Sequence, residues 1–251
     1  MSTISTFFTT GKRRRLSLGE FGEDIVVLSP HLDDAILSLG AAISQATRRG
    51  KRIRIVTVFA GDPESELPST GWDSLTGFTS VGEAARSRRL EDEKACSIVG
   101  VEPVWLPFPD NEQGGPPDVE EVTVALYSAV AGADAILVPG FPLLHPDHDW
   151  LARLIRRLEL GPRRVVPYLE QPYALQHPTK SPPASTDGHR WLPLHSGPSD
   201  MLAKIRACRS YRSQIRTLGG WWVLGGWLML AKMTMQELHC GGELVLADFP
   251  D

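Results

Sequence analysis

Ile25-Val26-Val27-Leu28-Ser29-Pro30-His31-Leu32-Asp33-Asp34-Ala35 is a short apolar run, closed by Ser-Pro, that opens into three ionisable side chains and then a helical pattern. The Ile-Val-Val-Leu core predicts a buried strand over Asp24–Ser29. Ile36, Leu37, Leu39, Ile43 and Ala46 recur at helical spacing and Gly50 stops them, so a helix is predicted over Asp34–Arg49. A histidine and two adjacent carboxylates therefore stand at the carboxyl end of a strand. In open α/β sheets the crevice beyond those ends is where ligands bind.

The same alternation continues outward. Strands are predicted at Arg52–Phe59, Pro103–Leu106, Ala133–Val138, Arg164–Tyr168 and Glu243–Ala247, and helices at Val81–Val99, Val119–Ala131, from His148 to about Leu160, and at Asp200–Thr217. Strand and helix in turn imply a single Rossmann-like α/β domain, a mostly parallel sheet with helices on both faces, over residues 23–251. Residues 1–22 read as a flexible tail. The long loops 61–80 and 171–197, with Trp72, His177, His189 and His195, are candidates for a rim, plain solvent exposure being the preferred reading of each histidine. The Trp/Gly segment 219–233 has no evident form, and Trp221, Trp222 and Trp227 suit packing.

The 251 residues, 42% hydrophobic and 22% charged, suit one sizeable core. A formal charge of −4 gives no general drive toward nucleic acid or anionic membranes, and no apolar run approaches a membrane span. Cys96, Cys208 and Cys240 form no CxxC pair, which argues against a zinc module or disulfide framework and suits a reducing, cytoplasmic compartment. Oligomeric state is not readable.

A second turn repeats the layout of the first. After the strand at 133–138 comes Pro139-Gly140-Phe141-Pro142-Leu143-Leu144-His145-Pro146-Asp147-His148 and then a helix. If the two strands are close in the sheet, His31, Asp34 and His148 converge as two imidazoles and a carboxylate, a three-ligand set that leaves a position for water. Asp33 is then left free as a general base. Blander readings stand beside this one: Asp33 or Asp34 as a helix cap, and Pro146, Asp147 and Asp149 as an ordinary helix start.

Together the motifs resemble those of the PIG-L/LmbE-like deacetylases, zinc enzymes that remove the N-acetyl group from N-acetylglucosamine-containing compounds. Pro30-His31-Leu32-Asp33-Asp34-Ala35 is similar to the family's (A/P)HPDDE, and His145-Pro146-Asp147-His148 matches its HPDH. Arg88-Arg89-Leu90-Glu91-Asp92-Glu93-Lys94-Ala95 fits its R-x-x-E-x-x-x-A, and Phe108-Pro109-Asp110 its aspartate turn. Tyr211-Arg212-Ser213-Gln214 is loosely similar to a further segment. Leu32 and Ala35 depart from the usual proline and glutamate, neither of which is a metal ligand. The resemblance implies Zn²⁺ (Fe²⁺ suits the same ligands) on His31, Asp34 and His148, with Asp33 as base and His145 stabilising the oxyanion. It also implies that Asp147 orients the His145 imidazole, that Arg88 and Asp110 contact sugar hydroxyls, and that a small N-acetylated amino-sugar conjugate is hydrolysed to free amine and acetate. Competing classes are a non-catalytic metal- or sugar-binding α/β protein and a 2-His-1-carboxylate iron oxygenase; the latter are commonly jelly-roll proteins, which the strand–helix alternation disfavours.

Overall fold

The structure is a computed structural model and describes residues 15–114, 117–161, 163–177, 189–218 and 223–248. A 3₁₀ turn at Leu18–Glu20, capped by Ser17, leads into the first strand. In chain order the elements are β1 (Asp24–Ser29), α1 (Asp34–Arg48), β2 (Arg52–Thr57), α2 (Gly71–Leu75), α3 (Val81–Val99), β3 (Glu102–Trp105), α4 (Asn111–Gly114) and α5 (Val119–Ala129). Then come β4 (Ala135–Phe141), α6 (Pro146–Ile155), β5 (Arg164–Leu169), α7 (Tyr173–Gln176), β6 (His189–Pro193), α8 (Pro198–Cys208), α9 (Arg212–Leu218), α10 (Val223–Cys240) and β7 (Leu244–Asp248).

The seven strands form one sheet in the order β3-β2-β1-β4-β5-β7-β6. The first five are parallel, and β7 runs antiparallel to both β5 and β6. Because strand side chains alternate, β1 feeds two cores. Ile25 and Val27 join Ile55, Leu137 and residues of α1, α3, α8 and α10 on one face. Val26 and Leu28 join Val56, Ile136, Val138 and residues of α5 and α6 on the other. Burial on both faces is why these strands read as continuous apolar runs rather than alternating ones.

From β1 the chain winds outward through β2 and β3, then returns to place β4 on the other side of β1, with Ile25 paired to both Ile53 and Ala135. That reversal is the topological switch point of the sheet. The two histidine-bearing turns leave from adjacent strands, as their convergence requires.

Four departures from the sequence reading are tertiary in origin. The expected 200–217 helix is two helices, because the fully buried Tyr211 between them turns inward and donates to Asp92 Oδ1 at 2.7 Å. The 61–80 loop contains α2, and the 171–197 loop contains α7 and β6, the latter held by pairing with β7. The 219–233 segment enters α10 from Val223, while Trp221 and Trp222 lie outside the described residues. The tail is shorter than residues 1–22: Leu16 bridges Leu194 and Leu18 is completely buried in the core, while residues 1–14 lie outside the described residues. Among the described residues no helix is long and apolar enough to cross a membrane.

Candidate metal centre and active-site pocket

The turn after β1 is locked by Ser29, whose Oγ donates to the His31 carbonyl at 2.5 Å and accepts from the Ala35 amide at 3.0 Å. This small hydroxyl turns the chain between strand and helix and brings His31, Asp33 and Asp34 to the mouth of the sheet. Leu32 and Ala35 are both buried, Ala35 in the apolar core and Leu32 lining the cleft described below.

Three donor atoms meet there. His31 Nδ1 lies 3.3 Å from Asp34 Oδ2, His148 Nε2 lies 3.2 Å from the same oxygen, and the two imidazole nitrogens are 3.2 Å apart. Ligands about 2.0–2.1 Å from a tetrahedral zinc ion are separated by about 3.3 Å, so this nearly equilateral triangle fits zinc without adjustment. His145 lies close as well: His31, His145 and His148 offer nitrogens within 4.8 Å of one another. That spacing is looser than the triangle through Asp34.

Each imidazole of the triangle is backed by a carboxylate. His148, wholly buried, has Nδ1 2.5 Å from Glu170 Oε1, while Glu170 Oε2 accepts from the Leu143 amide at 2.8 Å. His31 Nε2 lies 3.0 Å from Asp147 Oδ2, which also accepts from the Asn111 amide at 3.3 Å. Such outer carboxylates fix the tautomer and raise ligand basicity. Asp147 stands between two imidazoles, closer to His31 than to the His145 expected for it. Its carboxylate serves His31 and stands 3.7 Å from His145 Nδ1, because the first turn of α6 carries it toward β1. His145 caps α6 instead, its Nδ1 accepting the Asp147 amide at 3.3 Å, which leaves Nε2 as the protonated nitrogen of the neutral ring.

Burial disfavours charge on the imidazoles, yet the carboxylates win. Asp147 and Asp34 hold His31 well above the usual histidine range, and Asp34 and Glu170 hold His148 at about 9. Asp34 is itself pulled far down against its own burial by His148 and His31. The centre of the triangle thus favours cationic charge. His145, lacking such a carboxylate contact, is pushed down to about 4 by burial and by the two neighbouring imidazoles.

Asp33 occupies the N-cap position of α1, yet its side chain makes no capping hydrogen bond. It lines the pocket instead. Burial, and then the Asp34 charge beside it, push it up to about 7. Two adjacent carboxylates driven apart in this way suit one to hold a cation and the other to move a proton.

The pocket over these groups is a cleft of about 410 Å³. Arg88 lines it, held by Asp73 of α2 at 2.5 Å. Asp110 lines it too, while its Oδ1 also accepts from the Glu112 and Gln113 amides at 3.1 and 3.0 Å. Glu91, three residues beyond Arg88, accepts from the Ser213 amide and hydroxyl at 3.0 and 2.7 Å. Gln214 next to it accepts from Trp72 Nε1 at 3.1 Å. The R-x-x-E and Tyr-Arg-Ser-Gln segments are thereby explained: α3 places Arg88 in the cleft and anchors α9, which closes one wall against Trp72.

Of the candidate rim residues Trp72 lines the cleft, whereas the His177 ring packs on Phe141 at 4.7 Å, His195 Nδ1 lies 3.4 Å from Gln45 Nε2, and His189 begins β6. Glu170 and Tyr173 were not singled out by the sequence. Tyr173 also lines the cleft, its ring 5.0 Å from that of His148. The available signal for Glu170 was a lone carboxylate ending a buried strand.

A switch-point crevice, a zinc-sized donor triangle and an uncapped aspartate beside it are the parts of a metal-dependent hydrolase. The chain belongs to the PIG-L family, whose model, described as GlcNAc-PI de-N-acetylase, matches residues 26–158. The fold is also that of solved deacetylases. An A40926 pseudoaglycone deacetylase shares 24% identity over 90% of this chain and 97% of its own, with a TM-score of 0.70. The zinc-inhibited form of teicoplanin deacetylase shares 22% over 91% and 99%, at 0.73. N,N'-diacetylchitobiose deacetylase from Pyrococcus horikoshii shares 19% over 91% and 84%, at 0.56. A comparison with curated proteins found no match.

Proposed function

We propose that this protein hydrolyses the N-acetyl amide of an N-acetylglucosamine-containing conjugate, with zinc held by His31 Nδ1, Asp34 Oδ2 and His148 Nε2. The observation that carries this reading is the triangle of 3.2–3.3 Å edges with the uncapped Asp33 at its side. When bound, zinc supplies the Lewis acidity that polarises the amide carbonyl and acidifies a water molecule.

The side chains do the rest. Asp33 takes a proton from the attacking water and returns it to the amine nitrogen as the carbon–nitrogen bond breaks, giving acetate and free amine. His145, neutral and with its Nε2 proton available, donates to the oxygen on which negative charge develops. Glu170 and Asp147 hold the two ligating imidazoles. Arg88 and Asp110 offer charge-assisted hydrogen bonds to sugar hydroxyls, and Trp72 and Tyr173 offer aromatic faces. We place the protein in the cytoplasm, a location supported by three cysteines that form no disulfide.

Acetate release from a panel of N-acetylglucosamine conjugates and free N-acetylated sugars tests this. Release by the zinc-loaded wild type is expected, strongest for a conjugate. A protein that neither holds zinc nor releases acetate from any member of the panel favours the non-catalytic binding reading.

A further inference from the structure

A second cavity, of about 440 Å³, lies on the other side of α9 from the active-site cleft: Gln214 faces the cleft, while Arg212 and Ile215 line the cavity. Its volume is in the range of small-molecule sites. Ile98 of α3, Ile215, and Trp227 and Leu230 of α10 give it an apolar floor. Lys94, Arg206, Arg209 and Arg212 surround that floor, and no carboxylate lines it.

These four cations differ from the arginines that are held in ion pairs. Arg48, Arg52, Arg54, Arg88 and Arg153 each meet an aspartate within 3.2 Å. Among the described residues none of the four has a carboxylate partner. Arg209 lies over the Trp227 ring at 4.6 Å, which pins its guanidinium at the mouth. In a chain of net charge −4, four unpaired cations around one concave apolar surface are a local inversion of charge.

We propose that this cavity is a binding site for a monomeric anionic amphiphile: a carboxylate or similar anionic head engaged by Arg206, Arg209 and their neighbours, with an alkyl or aromatic body on the Trp227–Leu230 floor. An anionic head supplies these exposed cations with a counter-charge, which an uncharged apolar guest would not. The concavity favours a single molecule over a bilayer surface. The assignment is independent of the reading of the metal centre.

Calorimetric titration of the zinc-loaded protein with dodecanoate below its micelle concentration tests it. Dodecyl maltoside, acetate and phosphatidylglycerol vesicles serve as comparison ligands. The expected result is saturable binding of one dodecanoate that weakens with added salt, with no comparable binding of the maltoside or of acetate. The Arg206→Gln/Arg209→Gln protein should bind about tenfold more weakly or worse, the scale of one lost charge-assisted contact, while acetate release from an N-acetylated substrate stays unchanged. Trp227→Ala carries the same test should the double variant fail to fold. No saturable dodecanoate binding, equal binding of the maltoside, undiminished binding by the variants, or binding to vesicles alone would each overturn the proposal.

Discussion

Asp33 and Asp34 are neighbours in sequence and opposites in surroundings. Asp34 is held down by two imidazoles, whereas Asp33 is raised to about 7 by burial and by the Asp34 charge. Asp33→Asn keeps the shape and the zinc ligands, so the variant should retain one zinc and lose roughly 10²–10⁴-fold in acetate release; near-normal turnover would remove Asp33 from the proton-transfer role. Glu170→Gln should keep the fold but lower zinc affinity by about 10–100-fold, as read by competition with a chromophoric chelator, because His148 loses its charged partner. Unchanged affinity would make Glu170 merely structural. The donor set was legible in the sequence because its residues sit in two compact motifs, each following an apolar strand. Glu170 was not, because it is a single carboxylate whose partner lies 22 residues away and meets it only across the sheet. The closer contact of Asp147 with His31 was hidden for a similar reason: the two lie 116 residues apart in the chain.

Among the elements, a buried ion cluster ties the helical layer to the antiparallel edge. Lys204 of α8 meets Glu237 of α10 and Glu243 before β7, each at 2.6 Å. Glu243 also accepts from the Ala41 and Ala42 amides of α1 at 3.0 and 2.7 Å. Burial, against the pull of Lys204, pushes Glu237 up to about 7. Its folded value lies above its ordinary one near 4.5, so its contribution to stability is full below that value and is lost as pH rises through about 7. Lys204, raised above its ordinary value, stays charged throughout this window. The denaturation midpoint should therefore fall less between about pH 5 and about pH 8 in Glu237→Gln than in the wild type; equal losses would contradict the assignment. The long, doubly buried strands and the α1 and α3 helices were readable because local pattern and tertiary fate agree. The short α2, α7 and β6 were not, since their form is set by partners such as β7 rather than by their own sequence. The break between α8 and α9 is likewise invisible locally, because it carries no Gly or Pro and depends on Tyr211 reaching Asp92.

For the whole molecule, the decisive fact is that β1 and β4 are neighbours in the sheet although about a hundred residues separate them in the chain. That adjacency turns two ordinary strand exits into one metal centre, so metal binding and folding are linked. Zinc at about 1,000 times its Kd should stabilise the chain by about 4 kcal/mol, a rise in Tm on the order of 10 °C at this size. Differential scanning calorimetry of chelator-stripped and zinc-loaded protein measures it, and coincident transitions would count against a site assembled by the fold. The most direct measurement is acetate release from an N-acetylglucosamine conjugate as zinc is added stepwise to chelator-stripped protein. Activity should rise from near zero to a break at one zinc per chain, and the His148→Ala protein should show neither the rise nor the break. Full release by the stripped protein, or an undiminished titration in His148→Ala, would contradict a zinc-dependent deacetylase centred on these residues.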